Sequence, residues 1–330
     1  MVKQDSLPPL LKVSGLRVSF LTEAGVVRAL DGVDLQISEG EIAGLVGETG
    51  CGKSVTGNTI MGLIPKPAGH VDGGEIFFDG EDLLKLGSEA LRRIRGKKIS
   101  MIFQDPFTAL NPVHRVGDQI TEVIRLHQPV NRKEATSQAC QIMEMVGIPE
   151  PSLRLRDYPH QLSGGMRQRI VIAMSLACRP RLLIADEPTT SLDVTIQAQV
   201  LDLMVDMNRK IGATILLISH DLGVISEICQ KIFIMYAGRV IEWADTRLFF
   251  ERPLHPYSHG LIACLPKIGE HQARLKTIPG IVPDLREVPP GCRFHPRCSW
   301  SREVCQSERP VLEEAEPFHW VACHRWKEKV

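Results

Sequence analysis

The sequence predicts an α/β protein in which a phosphate-binding loop joins a buried strand to a helix. Residues 47–54 fit the pattern G-x-x-x-x-G-K-[ST], which is typical of such loops. The apolar run 42–46 before them favours a buried strand, and a helix can extend from Lys53 to about Leu63, before Pro65. Two further apolar segments, within 182–188 and 214–221, lead into ionisable residues, as at the edge of a nucleotide-binding sheet.

The residue types of this loop indicate binding of a nucleoside triphosphate with Mg²⁺. Its glycines allow a tight turn that directs backbone N–H groups at phosphate oxygens, and the helix start adds partial positive charge. Lys53 would neutralise the β- and γ-phosphates, and the Ser54 hydroxyl would bind Mg²⁺. A glycine-rich turn without a ligand is the alternative, and the flanking strand and helix disfavour it. The predicted nucleotide contacts here are Gly47, Glu48, Thr49, Gly50, Cys51, Gly52, Lys53, Ser54 and Val55.

Composition limits the classes of partner. With 330 residues the chain is long enough for about two domains, and Lys plus Arg equal Asp plus Glu at 39 each. The absence of a basic surplus argues against nucleic-acid binding. The first residues lack the apolar core of a signal peptide, and no apolar run approaches the ~18 residues of a membrane span. We therefore expect a cytoplasmic protein whose membrane role, if any, depends on partners.

Several residues outside the loop are candidates for chemistry on the triphosphate. Asp186 and Glu187 follow an apolar run, so Asp186 fits a second Mg²⁺ contact and Glu187 a general base that orients water. His220 follows another such run and is a candidate for contacting the γ-phosphate, although a single histidine is usually structural. Phe20 could stack on the base, but burial in the core is the favoured alternative.

A second anion-binding helix start is predicted at residues 163–165. Ser163 is a good N-cap, and Gly164 and Gly165 would leave the helix N-terminus open to an anion. On its own this short pattern is equally compatible with a simple helix cap.

Taken in order, these segments resemble the ATPase subunit of an ABC transporter. Residues 47–54 match Walker A, Gln104 the Q-loop, 162–168 the signature, 183–187 Walker B, 191–193 the D-loop and His220 the H-loop. The resemblance covers about residues 10–250. It implies a P-loop NTPase fold with a RecA-like core, an antiparallel β-subdomain and an α-helical subdomain at about 106–178.

The resemblance also implies that two such subunits pair head to tail around ATP. One ATP would be served by Phe20, Lys53, Ser54, Gln104, Asp186, Glu187 and His220 of one subunit, with Gln104 also a Mg²⁺ contact. Ser163, Gly164 and Gly165 would clamp the ATP held mainly by the other subunit. The D-loop residue Asp193 would also contact nucleotide. ATP would then join the subunits, and hydrolysis would release them.

After residue 250 the composition changes, and we expect a separate extension over 251–330. Sustained helical periodicity is absent, and residues 278–283 favour an extended or looped chain. Four of the nine cysteines lie here: Cys292, Cys298, Cys305 and Cys323. From the residues alone they could hold structural zinc or an iron–sulfur cluster, or be idle thiols, because their spacing matches no standard zinc ribbon or ferredoxin.

This extension, with His255-Pro256-Tyr257 and the run 291–298, resembles that of dipeptide and oligopeptide importer ATPases, as do the signature 158–166 and residues 52–55. These systems contain two ATPases, and residues 52–55 resemble the D-type member of the pair. The resemblance implies a structural [4Fe–4S] cluster on the four cysteines, with zinc as the alternative and His295, His319 or His324 as substitute ligands. It also implies two membrane permeases, a second ATPase and an external peptide-binding protein, with the chain at the cytoplasmic face of the membrane.

Two alternatives remain open. The same machinery could serve nickel, glutathione or a metal chelate, because ATPase subunits do not contact cargo. A soluble ABC protein of translation or DNA repair is less favoured, since the chain has one Walker A motif and only 110 positions separate Lys53 from Ser163.

Overall fold

The computed structural model describes residues 8–104, 109–190, 193–265 and 277–328, which form two compact units. The first unit comprises described residues within 1–38, 42–84 and 218–330, and the second those within 39–41 and 85–217. Ser191 and Leu192 of the predicted D-loop, and the first residues of the predicted helical subdomain, lie outside the described residues.

The strands in the described part of the chain are β1 (Leu11–Thr22), β2 (Gly25–Ile37), β3 (Ile42–Val46), β4 (Gly69–Phe78), β5 (Glu81–Asp82), β6 (Ile99–Ile102), β7 (Leu182–Asp186), β8 (Thr214–Ser219), β9 (Lys231–Tyr236), β10 (Arg239–Asp245), β11 (Glu313–Glu316) and β12 (His319–Val321).

The α-helices there are α1 (Lys53–Ile60), α2 (Ser88–Ile94), α3 (Val116–His127), α4 (Arg132–Met145), α5 (Pro151–Arg154), α6 (Gly164–Leu176), α7 (Val194–Ile211), α8 (Leu222–Ile228), α9 (Thr246–Glu251), α10 (Pro256–Ala263) and α11 (Glu303–Ser307).

The first unit contains an antiparallel sheet and a mixed set of strands. The antiparallel sheet has the order β2-β1-β4-β5, and Leu11 of β1 lies opposite Ile37 on one side and Phe78 on the other. The other strands follow the order β11-β12-β10-β9-β3, and β3 pairs in parallel with β9. All five residues of β3 are buried, so its carboxyl end delivers the loop 47–52 from a rigid support.

The second unit combines the strands β8-β7-β6 with most of the helices. β6 and β7 pair in parallel, with Ile99 opposite Leu182, so their carboxyl ends lie at the same edge. Helices α3, α4 and α6 pack through apolar residues such as Ile120, Ala139 and Ile172, all of which are buried. The capping box of Asn131 and Glu134 fixes the start of α4.

Most predicted elements occur close to their expected bounds. The predicted strand 42–46 is β3, whereas α1 ends at Ile60 rather than Leu63. The tail differs more, because a helix at Pro256–Ala263 and two short strands, β11 and β12, lie where no periodic pattern was found. Residues 278–283 lie outside helices and strands, as expected.

Candidate functional site

The phosphate-binding loop in the first unit adopts a backbone that only glycine fits at two points. A Cβ at Gly47 would lie 2.1 Å from the carbonyl oxygen of Met235. Gly52 is the N-cap of α1 with φ of 109°, and a Cβ there would lie 2.8 Å from the carbonyl oxygen of Ala29. These glycines therefore let the loop pass close to neighbouring backbone and turn into the helix.

The side chains of the loop divide between its interior and its surface. Lys53 is only 5% exposed, and its Nζ donates to the carbonyl oxygens of Gly47 at 2.7 Å and Glu48 at 3.2 Å. Thr49 and Gly50 are exposed at the tip. The Cys51 side chain is fully buried, and burial raises the pKa of its thiol, so this residue can offer a ligand only its backbone.

Two more predicted contacts of the nucleotide, Phe20 and His220, also belong to the first unit. Phe20 is half-buried on β1 beside Gly69 of β4, where a Cβ on the glycine would lie 2.9 Å from the Phe20 ring. His220 is exposed directly after β8, and Asp221 caps α8 by accepting from the Gly223 N–H at 2.7 Å. Their roles toward ATP stay predictions.

In the second unit the structure brings Gln104 and Glu187 together. Gln104 Nε2 donates to Glu187 Oε2 at 2.9 Å, and Thr190 Oγ1 donates to the same oxygen at 3.0 Å. Glu187 has φ of 47°, in the left-handed region that is unfavourable for residues with a Cβ. Asp186, the last residue of β7, is buried. A strained backbone and two donors therefore fix the direction of the Glu187 carboxylate.

The signature segment in the same unit is tied to this turn and to α7. Ser163 caps α6 by accepting from the Met166 N–H at 3.3 Å. A Cβ at Gly164 would meet no atom within 4 Å, whereas one at Gly165 would lie 3.2 Å from Ile196. The start of α6 at Gly164 is thus open, as an anion site requires.

Two residues that sequence reasoning missed connect these motifs. Gln168 is buried in α6 and donates through Nε2 to the Pro188 carbonyl oxygen at 2.5 Å, directly after Glu187. Thr190 contacts Glu187 itself. The predicted site residue Asp193 lies nearby in the sequence and caps α7, because its side chain accepts from the Ile196 N–H at 2.9 Å. Gln168 lies within the signature pattern, but nothing in the sequence says what its amide contacts.

The donor sets of both units suit ATP and Mg²⁺. In the first unit, a helix start, a buried lysine and the Ser54 hydroxyl match phosphate and a hard cation. In the second, Asp186 and Gln104 offer the oxygen atoms that Mg²⁺ prefers.

The cysteine prediction is wrong. Cys292, Cys298, Cys305 and Cys323 line one cavity, but its volume is only about 10 Å³, roughly the space of one water molecule. In the described part of the chain, no group of three or more His, Cys, Asp or Glu side chains is arranged to hold a metal ion. This finding overturns both the [4Fe–4S] cluster and its zinc alternative.

Comparison with known proteins agrees with the geometry. Residues 30–190 match the family model described as ABC transporter, and residues 241–305 match that of the oligopeptide/dipeptide transporter C-terminal region. The chain is 50% identical to the probable peptide ABC transporter ATP-binding protein y4tR of Sinorhizobium fredii, over 97% of this chain and 96% of that protein. It is 47% identical to the dipeptide transport ATP-binding protein DppD of Bacillus subtilis, over 95% and 93%.

A solved structure supports the fold and the reaction. The post-hydrolysis dimer of the ATP-binding cassette MJ0796, bound to ADP and Pi, matches with a TM-score of 0.65 and 27% identity over 72% of this chain and 99% of that one. The chain belongs to the family of ABC transporter ATP-binding proteins. It is an ATPase, and the predicted α/β cassette fold is confirmed. Among the described residues, no helix is both long enough and apolar enough to cross a membrane.

Proposed function

We infer that this chain is the subunit that binds and hydrolyses ATP to energise the import of di- and oligopeptides. The observation that carries this conclusion is the match of residues 241–305 to the family model described as the oligopeptide/dipeptide transporter C-terminal region. Identity of 46–50% to proteins named as peptide transport or import ATP-binding proteins, over nearly the whole chain, supports it.

The proposed reaction is in-line attack of water on the γ-phosphate of ATP. Lys53 would neutralise the phosphates, Ser54 and Asp186 would each be ligands for Mg²⁺, and Glu187 would orient the water and accept its proton. Gln104 supports Glu187 through their hydrogen bond and contributes to the Mg²⁺ site. His220 stabilises the charge on the γ-phosphate, and Phe20 stacks on the base. Mg²⁺ supplies charge neutralisation when it is bound.

We assign Ser163, Gly164, Gly165 and Asp193 to the ATP held mainly by a second ATPase subunit, identical or different. The open start of α6 at Gly164 supports this role, because its N–H groups are accessible to an anion from outside the chain. On this proposal, residues 1–250 form the nucleotide-binding domain and 251–330 the peptide-transporter extension. Separate family matches at 30–190 and 241–305 support a division into two regions in this order.

The implied partners are two membrane permeases, together with an external peptide-binding protein that acts indirectly. The permeases would hold this chain at the inner face of the membrane. The second unit offers a groove of about 490 Å³ between α3, α4 and α5. Arg115, Arg132 and Arg156 line it, and Asp118 lies 3.6 Å from Arg132. This positive balance suits a short permease helix that carries an acidic side chain.

The test is uptake in a strain whose chromosomal copy carries Glu187→Gln. We expect accumulation of a labelled tripeptide to fall at least about tenfold, because hydrolysis drives transport. Glu144→Gln, which changes an exposed glutamate on α4, is the matched control and should transport normally. Loss of nickel or glutathione uptake with normal tripeptide uptake would move the cargo assignment to those solutes. Normal uptake of all three would refute the importer.

A further inference from the structure

Residues 251–330, here called the C-terminal segment, contain two motifs without a role in the proposed hydrolysis reaction. They are His255-Pro256-Tyr257 and the run 291–298, which contains Arg297. In the first unit, both reach the same residue of the phosphate-binding loop, Glu48. Because these contacts join positions more than 200 residues apart, no local sequence pattern predicts them.

The Arg297 side chain holds the side chain of Glu48. Arg297 Nη1 lies 3.1 Å from both Oε1 and Oε2 of the carboxylate. The Arg297 side chain is 5% exposed and that of Glu48 is 28% exposed. Pairs on an open surface contribute little because water and salt screen them. Removing one partner of a pair this shielded leaves a charge without compensation, which is costly.

Arg297 is itself held in one orientation. Its Nε donates to the Pro279 carbonyl oxygen at 2.8 Å, and Nη2 lies 3.4 Å from the Ile278 carbonyl oxygen. The guanidinium carbon lies 5.8 Å from the ring centre of Tyr236 and 5.9 Å from that of Phe294. Moving the guanidinium with a displaced loop would break these contacts, so Arg297 opposes displacement of Glu48.

Tyr257 holds the backbone of the same residue. His255 caps α10 by accepting from the Tyr257 N–H at 3.0 Å, and Pro256 occupies the first helical position. The Tyr257 ring is fully buried, 4.7 Å from the ring of Tyr236. Its hydroxyl oxygen accepts from the Glu48 N–H at 3.1 Å. The cap and the aromatic packing therefore place a hydroxyl at the start of the loop.

A third contact comes from within the loop. Lys53 Nζ lies 3.2 Å from the Glu48 carbonyl oxygen. The side chain, N–H and carbonyl of Glu48 are thus each bound to a different residue. Thr49 and Gly50, which follow, are exposed. A loop already fixed at its base loses less conformational entropy when phosphates bind, and its affinity is correspondingly higher.

We propose that Arg297 and Tyr257 are positioning residues for ATP: through Glu48 they hold the phosphate-binding loop in its ligand-binding conformation, and the C-terminal segment thereby sets nucleotide affinity. The inference relies on the assignment of ATP to residues 47–54 made above. Neither residue contacts the reacting atoms in this proposal.

The test is a double-mutant cycle on the full-length chain, with the Kd of Mg-ATP measured by equilibrium binding and KM and kcat measured in the assembled importer. We expect Arg297→Met and Glu48→Gln each to raise Kd and KM about tenfold, and the double variant to raise them by the same factor rather than the product. Tyr257→Phe, which removes one oxygen atom, should raise Kd about threefold. For Arg297→Met and Tyr257→Phe, which change residues outside the phosphate-binding loop, the kcat at saturating ATP should stay within about twofold. Arg297→Lys should recover part of the affinity.

The matched control is Arg286→Met, because Arg286 also pairs with a carboxylate, Asp284, but on the exposed surface of the same segment. It should leave Kd unchanged. Values within twofold of wild type for both Arg297→Met and Glu48→Gln, or effects that multiply in the double variant, would overturn the proposal. If Arg297→Met does not fold, Glu48→Gln and Tyr257→Phe decide it. Lys53→Ala tests separately whether ATP binds at this loop. If Lys53→Ala leaves the Kd of Mg-ATP unchanged, the assignment of ATP to residues 47–54 is refuted. If Lys53→Ala weakens binding but the variants of Arg297, Glu48 and Tyr257 do not, only the role of the C-terminal segment is refuted.

Discussion

A single oxygen atom, Oε2 of Glu187, accepts hydrogen bonds from Gln104 and Thr190. Each bond fixes the carboxylate in one rotamer, and the left-handed backbone of Glu187 sets the direction from which it leaves the strand. A general base, the role proposed for Glu187, must be held in this way, because a misplaced proton acceptor loses most of its rate advantage. The sequence identified Glu187 and Gln104 as separate motif residues, and only the structure shows them joined.

We predict that Glu187→Gln lowers kcat for ATP hydrolysis at least about 100-fold, because an amide cannot accept the proton from water. The Kd of Mg-ATP should stay within about threefold, since the amide is nearly isosteric and keeps an acceptor for Thr190. Steady-state phosphate release and equilibrium binding measure the two quantities. Glu144→Gln serves again as the control, and unchanged hydrolysis by Glu187→Gln would remove Glu187 from the mechanism.

Among the elements, the two helix starts differ in how tightly their glycines are enclosed. Gly47 precedes α1 with backbone of Met235 at the position that a side chain would fill, whereas Gly164 at the start of α6 faces open space. The same substitution should therefore have different consequences for stability at the two sites, although both glycines belong to segments predicted to bind anions.

We predict that Gly47→Ala lowers the free energy of unfolding by at least about 2 kcal/mol, since a methyl group must displace the backbone of a buried strand. Gly164→Ala should leave it unchanged or raise it by up to about 1 kcal/mol, because alanine is the better helix former. Urea denaturation of the two variants measures this. Equal losses in both would show that space around the glycine does not decide the effect.

The sequence predicted elements well where one physical pattern dominates. β3 is uniformly apolar and lies between Gly40 and Gly47, so its bounds followed directly. β11 has the sequence Glu-Glu-Ala-Glu and could not be predicted, because it exists only by pairing with β12, which in turn pairs with β10. Strands of this kind depend on distant partners rather than on local pattern.

For β11 the sequence missed an element that exists, whereas for the four cysteines it predicted a metal centre that the described residues contradict. The resemblance to importer ATPases implied four ligands, and the structure does bring the four cysteines to one cavity. Proximity alone is insufficient, however, because a metal centre also requires an arrangement of three or more ligands around a common point, and the described residues contain none. Spacing along the chain carries no information about that geometry.

Across the first unit as a whole, long-range ion pairs join segments that local sequence patterns treat as independent. Asp31 of β2 accepts from Arg239 of β10, with Nε at 3.1 Å, and from Arg293 of the C-terminal segment, with Nη2 at 2.5 Å. Burial, together with the charge of Arg239, lowers the pKa of Arg293 to about 10, so this guanidinium is still protonated at neutral pH. One carboxylate therefore connects the antiparallel sheet, β10 and the tail.

Asp31 makes the stability of the chain depend on pH in a defined direction. Burial alone would raise the pKa of Asp31, but the hydrogen bond and charge of Arg239 and the charge of Arg293 outweigh it and hold the pKa below its ordinary value. Because the folded-state pKa is depressed, the contribution of Asp31 is complete above the unfolded-state value of about 3.9 and is lost as pH falls through the lower folded-state value.

We predict that Asp31→Asn lowers the free energy of unfolding at pH 7 by about 2–4 kcal/mol, because two shielded guanidinium groups lose their shared counter-charge. The difference from wild type should be constant between about pH 8 and 5 and should narrow below about pH 4. Urea unfolding at each pH measures it. Asp284→Asn, which breaks the exposed pair with Arg286, should change stability little at any pH. A difference that grows on acidification would contradict a depressed pKa for Asp31, and equal effects of the two variants would show that shielding within the first unit adds nothing to the pair.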